Sequence, residues 1–175
     1  MKSWLRNLIL SAAFLALCYV LPLLTGQIPQ LGQALCPMHI PVLLCGFLCG
    51  WQWGLGIGLI APLSRSLILG MPPLFPTAVC MSFELAAYGL LAGLFYRIFP
   101  KKPLYVYPAL VLSMLGGRIV WGIARFFCAG LDPSKFGISA FIAGAVSGSV
   151  PGIVVQLVLI PVLVVAIDRT KLLRH

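Results

Sequence analysis

The chain has 175 residues, of which 61% are hydrophobic and only 9% charged, and it carries a formal net charge of +9. No soluble domain of this size is so apolar, so the composition predicts an all-α, polytopic membrane protein with a single transmembrane domain over residues 1–175. The basic excess does not point to nucleic acid: Lys2, Arg6, Arg97, Lys101, Lys102, Arg169, Lys171 and Arg174, eight of the twelve basic residues, flank predicted helix ends and act as topological anchors.

Residues 1–6 form a basic amphipathic start and 7–26 the first span. This segment is long enough to cross a bilayer, and no small-residue cleavage site follows it, so it does not read as a cleavable signal. Within LSAAFLAL, Ala12 and Ala16 form an AxxxA pair, whose small side chains let another helix approach closely. Residues 27–38 (QIPQLGQALCPM) are a loop with little charge.

Residues 39–70 admit two readings. Gly46, Gly50, Gly54 and Gly58 recur every four residues with Trp51 and Trp53 between them. They form one long glycine-striped helix, or a short helix to about Gly50, an interfacial turn at the tryptophans and a second helix from Gly54 to Gly70. Two full spans need about 40 residues, more than the segment supplies, but parity favours two helices. With further spans at 78–97, 104–127 and 138–167, six helices put both basic tails and the Arg97/Lys101/Lys102 loop on one side, as the positive-inside rule requires.

Between the third and fourth spans lies a proline-rich turn, Met71-Pro72-Pro73-Leu74-Phe75-Pro76, with Arg65 before it and Glu84 after it. At the helical rise, Arg65 lies about 8 Å below Gly70 and Glu84 about 12 Å below Pro76, so the two are expected to meet at similar depth. In the fifth span Arg118, Trp121, Gly122 and Arg125 share one helix face, Arg118 near mid-depth and Arg125 near the outer end. The loop AGLDPSKFG reads as a solvated turn with the Asp132/Lys135 pair. The sixth span opens on a small-residue stripe, Ala140, Gly144, Gly148 and Gly152. Pro151 and Pro161 are candidate kinks and Gln156 a polar residue well inside.

Charges in a span cost about 2.5 kcal/mol or more unless paired or hydrated. Arg65, Glu84, Arg118 and Arg125 leave two positive charges in excess. A structural ion network is one reading. The other is a pocket for an anionic ligand held by guanidinium forks, with Trp121, Tyr88, Phe75 and Phe83 as flat walls and His39 and Met38 at its rim. The six cysteines show neither a CxxC nor metal-site spacing, and Cys45 and Cys49 read as small packing residues. Cys36 and Cys128 both fall near the outer loops, so a disulfide there is possible but unsupported by the sequence. No cofactor or metal is implied. No GxxxxGK[ST], GxSxG or HExxH motif is present.

These features resemble the substrate-binding S components of energy-coupling-factor (ECF) vitamin transporters. The resemblance rests on the hydrophobic six-helix pattern, the AxxxA of the first helix and the run PMHIPVLLCGFLCGWQWGLGIGLIAPLSRSLILGMPPLFP. It spans nearly the whole chain and is closest over 37–97 and 116–126. It implies cytoplasmic termini in the plasma membrane and an outer pocket closed by the loops at 27–38, 71–77 and 128–137. It also implies contact of Ala12 and Ala16 with a transmembrane coupling subunit driven by two ABC-type ATPases. The branch most similar is the one associated with pantothenate, with cobalamin-, queuosine- or folate-type substrates as the other candidates. A carboxylate substrate would suit the arginine excess. Two other functions are weighed against it. One is a small membrane enzyme acting on a lipid or isoprenoid phosphate, which lacks a candidate nucleophile or general base here. The other is a structural subunit, for which the glycine stripes alone would suffice.

Overall fold

A computed structural model describes residues 3–24, 35–100, 102–130, 137–145 and 150–169. Among the described residues there are seven α-helices and no strand: α1 (Ser3–Leu24), α2 (His39–Cys49), α3 (Trp51–Leu69), α4 (Val79–Ile98), α5 (Val106–Cys128), α6 (Ile138–Ala145) and α7 (Val150–Arg169). A single π-type turn, Leu74–Ala78, leads into α4, and a 3-10 turn, Pro103–Tyr105, leads into α5. Among the described residues four stretches are long and apolar enough to cross a membrane: Trp4–Leu23, Leu74–Ile98, Pro103–Cys128 and Val150–Ile167.

α4 is the centre of the bundle and packs against α2, α3 and α5. Glycines make that possible. A Cβ on Gly46 would lie 2.5 Å from the Gly89 carbonyl oxygen, and one on Gly54 only 2.6 Å from the same atom. The glycine recurrence is therefore a backbone-to-backbone contact surface, where dispersion and weak Cα–H contacts replace side-chain packing. α2 is short, as expected, but the reversal into α3 falls on Gly50 alone, and both tryptophans belong to the first turn of α3. The reason is conformational. Gly50 has φ +100°, which any Cβ would oppose, so one glycine turns the chain where a longer interfacial turn was expected.

α1 runs antiparallel to α2. Asn7 Nδ2 donates to the Cys49 carbonyl at 3.3 Å, Ser11 Oγ lies 3.6 Å from Cys45 Sγ, and Cys18 Sγ donates to the Met38 carbonyl at 3.9 Å. Ser11, Phe14 and Cys18 are buried at helical spacing. Ala12 and Ala16 consequently face outward and are exposed.

Over the expected span 138–167 the described residues form α6 and α7, and residues 146–149 between them lie outside the described residues. Pro151 is the second described residue of α7, and Pro161 lies inside it. Gly144 of the small-residue stripe meets Trp121 of α5, and Gly152 is buried. Gly148 lies outside the described residues, as do the Asp132/Lys135 turn, residues 27–34 of the first loop, and Lys2, Lys101, Lys171 and Arg174. Gln156 is buried at 2% exposure with Ile160 and Val164 on the bundle side of α7.

Candidate functional site

Glu84 is one turn and a half inside α4 and 2% exposed. A buried carboxylate must find positive partners, and the middle of α5 and the start of α2 deliver them. Arg118 of α5 places Nη1 2.9 Å from Glu84 Oε1, and His39, the first residue of α2, places Nε2 3.4 Å from the same oxygen. Tyr88, one turn further along α4 and fully buried, meets the His39 ring edge-on with centroids 5.1 Å apart. Both distances to Oε1 are ion-pair distances, yet neither meets hydrogen-bond geometry. The Nδ1 and Nε2 atoms of His39 and the Nε atoms of Arg65 and Arg118 are also buried without a hydrogen-bond partner. A cluster so charged and so incompletely bonded has capacity for further polar groups.

The expected meeting of Arg65 with Glu84 does not occur. Among the described residues the ion pairs of Glu84 are to His39 and Arg118. The glycine contacts explain the displacement: Gly54 lies against Gly89 and Gly58 against Leu85, and that antiparallel register sets Arg65 level with Ala78. Arg65 thus sits about 9 Å from Glu84 along the helices, toward the loop at 71–77. It is 5% exposed, with Tyr19 of α1 within electrostatic reach. No ion pair involves it among the described residues.

Trp121 and Arg125 lie one and two turns beyond Arg118, toward the C-terminal end of α5, and Trp121 faces α6. Trp121 packs on Phe141 with centroids 6.2 Å apart, and the Arg125 guanidinium carbon stands 5.9 Å over the Trp121 ring. Phe75 is 66% exposed in extended backbone within the loop at 71–77. The structure therefore brings together Glu84, Arg118, His39 and Tyr88, sets Arg65 above them, and leaves Trp121, Arg125 and Phe75 at the margin.

Cys36 was not anticipated here. Its φ is +47°, its carbonyl accepts the His39 N–H at 3.0 Å, and its sulfur accepts from Arg118 Nη2 at 3.8 Å. In the sequence only its place three residues before His39 hints at this. The same contacts argue against a Cys36–Cys128 disulfide: Cys128 instead touches Cys80, with sulfurs 3.4 Å apart, and no cysteine is disulfide-bonded. Among the described residues no three His, Cys, Asp or Glu side chains group as metal ligands. An apolar groove of about 790 Å³ between Tyr107 of α5 and Pro161 and Val165 of α7 lies at the other end of the bundle and contains none of the charged residues above.

A family model described as ECF transporter, substrate-specific component, matches residues 6–167. Comparison with curated proteins and with solved structures finds no match. Members of this family are membrane-embedded transporter subunits that work with ECF membrane and ATPase subunits on a small-molecule substrate. The match covers nearly all of an all-helical, membrane-spanning chain, which therefore belongs to the substrate-specific components of ECF transporters.

Proposed function

We propose that the chain captures a small carboxylate micronutrient, of the pantothenate type, in a pocket that opens at the outer face between α2, α3, α4 and α5. The observation that carries this reading is Arg65, a guanidinium buried to 5% exposure whose Nε has no hydrogen-bond partner. A purely structural network would balance its charges. A substrate carboxylate gives Arg65 the bidentate partner it lacks, while Glu84 and His39, about 9 Å deeper, take hydroxyl or amide groups. Arg118, 2.9 Å from Glu84 Oε1, holds that carboxylate in place. Tyr88 and Trp121 supply apolar wall, Arg125 a second cation toward the rim, and Phe75 a lid residue in the loop at 71–77.

In this reading both termini and the loop around Lys101 are cytoplasmic, six membrane-embedded segments form the bundle, and α1 docks on the coupling subunit through Ala12 and Ala16. The exposure of those two alanines, opposite the buried Ser11–Phe14–Cys18 face, supports the last point. The test is mass spectrometry of small molecules released from the purified protein, followed by calorimetric titration with pantothenate and with cobalamin-, queuosine- and folate-type candidates. Tight binding of a carboxylate that weakens in Arg65→Met is the expected result. Tight binding of an uncharged compound, indifferent to Arg65, would refute the assignment.

A further inference from the structure

We infer that Cys80 and Cys128 form a dithiol modification site at the outer end of the bundle, where a low-molecular-weight disulfide converts them to an intramolecular cross-link between α4 and α5. The two sulfurs already touch at 3.4 Å across 48 residues of chain. Cys80 is fully buried in the first turn of α4, and Cys128 is the last residue of α5, half-buried beside the Ala129–Gly130 turn. One thiol is therefore within reach of a soluble reagent and the other waits behind it. The remaining cysteines are engaged elsewhere: Cys36 with Arg118, Cys45 with Ser11, Cys18 with the Met38 carbonyl, and Cys49 in the α2 face that packs on α1. Arg125, one turn before Cys128, interacts with Cys80 and offers a counter-charge to a transient thiolate.

The chemistry balances in two exchanges. The Cys128 thiol loses a proton and its sulfur attacks one sulfur of the small disulfide, forming a mixed disulfide and releasing one small thiolate, which takes up that proton. The Cys80 thiol then loses its proton, its sulfur attacks the Cys128 sulfur, and a second small thiol leaves. The protein pair is oxidised by two electrons and the reagent is reduced to two thiols. The link would lie one turn outward of Glu84 on α4 and fix the spacing of the helices that carry Glu84 and Arg118.

The experiment uses the full chain, purified in detergent and incubated with oxidised glutathione. The sample is acid-quenched, unfolded, alkylated and digested with trypsin without reduction. The expected product is one cross-linked species joining the peptide 66–97 to the peptide 126–135, with the mass of the intact chain lowered by two hydrogens. Dithiothreitol should restore two alkylatable thiols. In Cys80→Ser, Cys128 should stop at the glutathione mixed disulfide. A link from Cys128 to Cys36 or any other cysteine would overturn the inference. So would a wild-type chain in which Cys80 remains alkylatable while Cys128 carries glutathione, or one that is not oxidised at all.

Discussion

Arg65→Met and Arg118→Met remove the same charge from the same protein, and the structure assigns them opposite effects. Arg118 is the 2.9 Å partner of Glu84, a carboxylate 2% exposed. Truncating it leaves Glu84 with His39 alone at 3.4 Å, and breaking a buried pair this way costs about 3–5 kcal/mol. Arg65 has no ion-pair partner among the described residues and is 5% exposed, so in the free protein it carries a desolvation penalty with no attraction to offset it. Its place near the end of α3, five residues before Gly70, keeps water close, so a gain of only about 1–2 kcal/mol is expected from the apolar replacement. With a carboxylate bound, the balance reverses: losing the guanidinium fork should weaken affinity by about 2–5 kcal/mol, roughly 30-fold or more. Unfolding in detergent with and without pantothenate, alongside calorimetry, measures all four quantities. If the ligand-free Arg65→Met protein unfolds as early as Arg118→Met and its affinity is unchanged, Arg65 holds the fold and the reading of the site fails.

Three further outcomes follow from separate parts of the bundle. Ala16→Val should leave ligand binding by the isolated subunit intact while uptake by the assembled transporter falls, because Ala16 is exposed on α1 and added methyl groups block a close helix contact; parallel loss of both would place Ala16 in the fold. Gly54→Ala should lower stability by about 1–3 kcal/mol, since its Cβ would lie 2.6 Å from the Gly89 carbonyl oxygen and 2.8 Å from the Gly46 Cα; an unchanged melting temperature would mean the helices are not in backbone contact. A cysteine introduced at Lys101 should be labelled only from the cytoplasmic side, and labelling from outside would invert the pocket.

What the sequence makes legible is what depends on one helix at a time. Helix content and the approximate ends of α1, α4 and α5 follow from apolar length. The division of α1 into a buried face and an exposed Ala12/Ala16 face follows from the helical period. Arg118 and Glu84 were recognisable as costly charges with opposite sign. What the sequence does not carry is the register between helices. Counting residues from the proline-rich turn sets Arg65 and Glu84 at one depth. Contacts between Gly54 and Gly89 and between Gly58 and Leu85 slide α3 along α4 and set them about a turn and a half apart. Glu84 then takes its partners from α2 and α5. The failed pairing is itself informative. Had Arg65 met Glu84 directly, its charge would have a partner within the protein and a structural network would suffice. Because backbone contact between α3 and α4 forces the two apart, one cation stays without an ion-pair partner among the described residues near the 71–77 loop, and one carboxylate is held deeper in the bundle. Such a divided arrangement suits a substrate with an anionic end and a hydrogen-bonding end better than it suits a salt bridge.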